Sequence, residues 1–116
     1  MALYFTTAHP QALLDSFEAR VRQSEPRGRI VAWKKGEDGT LYTHSAAEWT
    51  EKAWLKPRVD ADRLTFNILR PEDRYVSVKA YAFFYGQLIE TFTSQLDLTF
   101  DSVLVTPRCT DGDIWA

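Results

Sequence analysis

The chain of 116 residues contains a single cysteine, Cys109, and only two histidines, His9 and His44. One thiol excludes an internal disulfide and a thiolate-rich zinc site built by one chain. The two histidines do not form an HxH or HExxH spacing, so no metal site is expected, and no cofactor is implied. Each is expected to be an ordinary residue, His9 before a helix beside Pro10 and His44 on a strand. Phosphate-binding motifs are also missing. No GxGxxG follows a strand, and "KKGEDG" has no Walker pattern. "MALYFTTAHPQ" lacks the basic segment and long apolar run of a signal peptide, and no stretch approaches the ~20 apolar residues of a membrane helix. A cytoplasmic protein without membrane attachment is the expectation.

What is present points to one core. The chain is 45% apolar and 26% charged, with four Trp, five Tyr and seven Phe. Large rings each remove ~150–250 Å² from water, so a few can supply much of the burial of a single domain spanning 1–116. The formal net charge is −2, which gives the whole molecule no electrostatic reason to seek a polyanion. The charges are unevenly placed: six basic against three acidic groups in residues 1–36, and one against five in 88–116. Two such ends attract each other within one fold or between two copies.

Periodicity predicts the element order β-α-β-β-β-β-α-β. Residues Leu3–Thr6 read as a strand, and Leu13, Leu14, Phe17 and Val21 as a helical stripe that Thr7 or His9 caps, with Pro10 in its first turn. A hairpin is predicted from Arg29–Lys35 and Thr40–Ser45 around Gly36–Gly39. A short turn or helix near 46–50 then leads into a strand from about Ala53. That strand turns at Asp60–Asp62, and Leu64, Phe66 and Ile68 alternate to one face beyond it. Pro57 cannot donate to a ladder, which predicts an edge or an interruption there. Ser77 is positioned to cap a helix ending at Gln95 or Leu96, and Asp101–Thr106 supplies the last strand. The expected fold is α+β: a two-layer sandwich whose mainly antiparallel sheet of five to six strands carries two helices on one face.

The run "KAYAFFYGQLIETFTSQL" fits a helix, because its aromatics at 81, 83, 84 and 85 do not alternate. On a wheel, Val78, Tyr81, Ala82, Tyr85, Leu88, Ile89, Phe92 and Leu96 share one arc, with Phe84 at its border. Phe83 lies almost opposite, next to Lys79, Gly86, Gln87 and Glu90. A bare glycine beside an outward ring invites another element, so Phe83, Gly86, Gln87 and Glu90, with Trp115, are candidate interface residues of a homodimer. The competing reading folds the C-terminal tail, with Ile114 and Trp115, over Phe83.

Residues able to do chemistry are sparse. Cys109 has no adjacent base, and Asp111-Gly112-Asp113 lacks the further oxygen ligands of a cation loop and reads as a polar turn. Arg20, Arg22, Arg27, Arg29, Lys34 and Lys35 with Trp33 combine charge and a ring as single-strand binders do, but the acidic balance and the lack of an RNP signature argue against nucleic acid. The expectation is therefore a non-enzymatic interaction or assembly module acting as a homodimer. The alternative is a small-molecule-binding protein or small enzyme, with Tyr81, Tyr85, His44 and Arg70 around an aromatic pocket between helix and sheet.

Overall fold

Alternation along Arg63–Leu69 sends Leu64, Phe66 and Ile68 to one side, and all three are fully buried. This strand is the spine of a six-stranded sheet, seen in a computed structural model that describes residues 1–114; Trp115 lies outside the described residues. The elements are β1 (Ala2–Thr6), α1 (Pro10–Arg22), β2 (Trp33–Lys35), β3 (Tyr42–His44), β4 (Trp54–Val59), β5 (Arg63–Leu69), α2 (Val78–Gln95), a 3-10 turn over Asp97–Thr99, and β6 (Ser102–Val105). The sheet order is β2-β3-β4-β5-β1-β6, and every neighbouring pair is antiparallel. The fold is α+β, as the periodicity predicts.

Both helices pack on the face that carries Leu3, Phe5, Leu55, Leu64 and Phe66. Phe17 of α1 lies edge-on to Phe66 and Tyr42, and Phe92 of α2 stacks on Phe5 at 4.1 Å between ring centres. Pro10 opens α1, whose N-cap His9 makes no side-chain cap bond. Ser77 caps α2 by accepting from the Ala80 N–H at 3.1 Å. Pro57 is tolerated because β3 pairs with β4 only at Tyr42–Leu55, leaving the rest of that edge unpaired.

Three features depart from the sequence reading. The first hairpin is shorter than predicted, because Ile30 is buried and donates its N–H to the Arg20 carbonyl at the end of α1 instead of joining the ladder. The buried arc of α2 is rotated toward Phe84 and Thr91, while Val78 is 69% exposed and Ala82 faces solvent. The cause is Trp33 of β2, which packs under that side and donates its indole N–H to Thr91 Oγ1 at 3.0 Å. The third is Phe83, which does not point into water. It is half-buried under Trp49, from the turn before β4, with ring centres 4.4 Å apart and 13° between planes.

Trp33, Trp49 and Trp54 take three different places. Trp33 is core and Trp49 covers α2. Trp54 lies on the uncovered sheet face, its ring against Gly36, where a Cβ would come within 2.9 Å. That face also holds Tyr4, Lys56, Arg58, Arg63, Thr65 and Asn67, with the Arg63 guanidinium 4.0 Å from the Tyr4 ring centre. The tail closes one end of it. Ile114 bridges to Leu69, and the Asp113 carboxylate accepts from Asn67 Nδ2 at 2.8 Å, Ile68 N at 3.1 Å and Thr110 N at 2.8 Å. Gly112, at φ +96°, passes so close to Asn67 that a Cβ would lie 2.8 Å from its Oδ1. The polar turn is thus a clamp on β5. Among the described residues no helix is long and apolar enough to cross a membrane.

Candidate functional site

The turn over residues 46–52 is built by its own backbone: Trp49 and Thr50 donate their N–H groups to the Ala46 carbonyl, and Glu51 takes φ 60°. Thr43 Oγ1 fixes its far end, accepting from Glu51 N at 2.9 Å and donating to the Ala53 carbonyl at 2.8 Å. This holds the Trp49 indole flat on Phe83. Phe83 in turn meets His44 edge-on at 5.0 Å, and His44 meets Trp33 at 5.2 Å. The result is a continuous aromatic stack from the sheet to the surface.

His44 is the polar group inside that stack. Its Nδ1 accepts from the Ala46 N–H at 3.1 Å, which places the proton of the neutral ring on Nε2. Nε2 is enclosed, and its contact with the Gln87 side chain is not a well-formed hydrogen bond. Burial holds the His44 pKa below its ordinary value, and the Gln87 side chain partly opposes that shift.

Beside the stack, Trp49, Lys52, Arg74, Tyr75, Ser77 and Lys79 line a shallow hollow of about 400 Å³. Lys52 Nζ lies 6.0 Å from the centre of the Trp49 ring system, and Tyr75 is 68% exposed. No carboxylate lines this hollow. Two other hollows differ in that respect. The one at the end of α1 includes Arg22, Arg29 and Lys35 but also Glu18, and the one at the start of α1 includes His9 and Asp101. In the former, Lys35 and Glu18 pair at 2.7 Å, and burial with the nearby Glu18 raises the Tyr42 pKa. Trp33 does not serve there as a stacking platform, since its ring is buried.

The four residues expected around a helix–sheet pocket are dispersed. Tyr85 is buried, with its hydroxyl donating to the carbonyls of Met1 and Phe66, and burial raises its pKa. Tyr81 donates to the Pro107 carbonyl at 3.2 Å on the same flank of α2. Arg70 donates to the Pro71 and Glu72 carbonyls in a loop, and His44 sits on the opposite flank. Of the interface candidates, Gly86 and Glu90 are exposed and Gln87 is half-buried, while Phe83 lies under Trp49. A Cβ at Gly86 would meet nothing within 4 Å. Cys109 is an exposed free thiol, and no three His, Cys, Asp or Glu side chains gather into a metal-binding group among the described residues.

Sequence reasoning did not find Lys52, Arg74 or Tyr75, which come from two loops far apart in the chain. A faint signal was there: "WTEK" and "RYVSVK" each pair a ring with a cation three or four residues later. Comparison with known proteins adds no relative, since no family model, curated protein or solved structure matches this chain.

Proposed function

We propose that the protein is a non-enzymatic assembly module that pairs with a second copy of itself through β6. The observation that carries this reading is the character of that edge. β6 is the last strand of the sheet and has only β1 as partner, and its Leu104 and Val105 are 56% and 40% exposed. Sheet edges are normally guarded by charge, proline or brevity. The opposite edge follows that rule, with β2 only three residues long and bearing Lys34 and Lys35. β6 carries no charge between Asp101 and Arg108.

A second copy suits this edge by chemistry and register. Thr106 N donates to the Ala2 carbonyl, so alternation turns residues 102 and 104 toward β1 and residues 103 and 105 outward. Antiparallel pairing of Val103 with the second copy's Val105 uses every outward donor and acceptor, places Leu104 on the two-fold axis, and stops at Pro107. The segment "DSVLVTPR" then brings Asp101 of each copy near Arg108 of the other. Neither residue has an ion-pair partner among the described residues.

Sedimentation equilibrium tests this directly. A dimer is expected, with Leu104→Lys converting it to a monomer of unchanged fold. Asp101→Arg is expected to weaken association, and Asp101→Arg combined with Arg108→Asp to restore it. A strict monomer at the highest soluble concentration overturns the proposal.

A further inference from the structure

We infer that the hollow between Trp49 and Tyr75 binds a small anion built on a planar ring, of the nucleoside monophosphate class. The argument begins with the state of the two rings. Trp49 has one face pressed on Phe83 at 4.4 Å, so its orientation is fixed before any ligand arrives. A fixed indole is a preorganised stacking surface, because no side-chain freedom is lost on binding. Tyr75 is the other wall, a large ring left 68% in water.

Charge supplies the second half. The hollow is lined by three cations, Lys52, Arg74 and Lys79, and by no carboxylate. Asp73 pairs with Arg74 at 3.1 Å and reduces that contribution, which leaves the two ammonium groups as the main attraction for an anion. The start of α2 adds little to this, since Ser77 Oγ already accepts from the Ala80 N–H there. Rings and cations together select a ligand with both features, a flat π surface and a negative group within one ring's reach of it. The volume of about 400 Å³ suits one such unit and not several.

Calorimetric titration of the full chain with adenosine monophosphate, adenosine and inorganic phosphate tests each part separately. Adenosine monophosphate is expected to bind more tightly than either fragment, and added salt to weaken it while sparing adenosine. Tyr75→Ala is expected to weaken the monophosphate about tenfold, within the range of ring-stacking losses. That ring is mostly solvated, so its removal leaves the fold intact, as thermal denaturation would confirm. Lys79→Gln is expected to weaken the monophosphate but not adenosine. Failure to saturate with the monophosphate at millimolar concentration overturns the inference. So does equal affinity for phosphate alone, or full retention of binding in Tyr75→Ala. Much tighter binding of an oligonucleotide than of the monophosphate also overturns it, in favour of an extended nucleic-acid surface. The result does not depend on β6 pairing, because Trp49 and Tyr81 lie on opposite flanks of α2.

Discussion

Phe84 and Tyr85 are adjacent in sequence, both are buried, and they face different worlds. Tyr85 points toward Met1 and β5, where its hydroxyl is bonded to two backbone carbonyls; Tyr81 on the same flank is bonded to a third. Phe84 points toward Trp33 and His44, a flank where the imidazole Nε2 is enclosed without a well-formed hydrogen bond and the outermost ring, Trp49, is half-exposed. Buried polar groups that are fully bonded fix a structure, and those left unbonded raise the free energy of the folded state. One flank of α2 is therefore closed, and the other retains both an unsatisfied group and an open surface. The open flank is the one that borders the Trp49–Tyr75 hollow, and the closed flank is the one tied to the segment after β6.

The sharpest way to break this contrast is to remove each residue in turn. Phe84→Ala deletes a fully buried ring that packs against Trp33 and His44, and is expected to destabilise by ~3–5 kcal/mol. Tyr85→Phe keeps the ring and loses only the hydroxyl, with an expected cost of ~1–3 kcal/mol. Urea denaturation of both variants measures the two losses. If Tyr85→Phe proved the more damaging, the closed flank would depend on its hydrogen bonds more than the open flank depends on packing.

The open flank also responds to pH. His44 has a folded pKa below its ordinary value of 6.5, so in the unfolded chain it takes up a proton first. Its contribution to stability is complete above pH 6.5 and is lost as the pH falls from there through the folded pKa. Asp60 shows the same sign at a lower pH, because the Thr65 hydroxyl, with Arg58 and Arg63, holds its carboxyl below 3.8. Chemical denaturation between pH 7 and 3 is expected to show stability decreasing as acid is added, first through His44 and then through Asp60. His44→Asn, whose side-chain oxygen can still accept the Ala46 N–H, is expected to flatten that slope while leaving the Asp60 effect in place.

Much of the architecture was legible because its causes are local. The Ser77 cap, Pro10 in the first turn of α1, the Asp60–Asp62 turn and the alternation at Leu64, Phe66 and Ile68 need only neighbours in sequence. The azimuth of α2 needed more than that. A helical wheel orders residues around an axis but does not say where the opposing surface lies, and that was set by Trp33, 58 positions from its partner Thr91. Phe83 was misread for the same reason. Its cover comes from residues 46–52, a short turn whose spacing in sequence does not aim Trp49 toward α2. The Asp113 clamp was hidden because a carboxylate after a glycine looks the same whether it is solvated or enclosed by donors from β5.

The smallest effect bears most directly on what Phe83 is for. If Phe83 and Trp49 act as one stacked unit, removing either ring loses the same interaction, and removing both loses little more. A double-mutant cycle of Phe83→Ala and Trp49→Ala is expected to give a coupling of ~0.5–1.5 kcal/mol, the range for stacked aromatic pairs. A coupling near zero would mean that Trp49 rests on Phe83 without being held by it. The indole would then be free to swing with the turn over 46–52, and a flat binding wall could not be assigned to it. A full coupling would make Phe83 the fixed base of that wall. Its place between His44 and Trp49 would then explain why a large ring occupies a helix position that the wheel assigns to water.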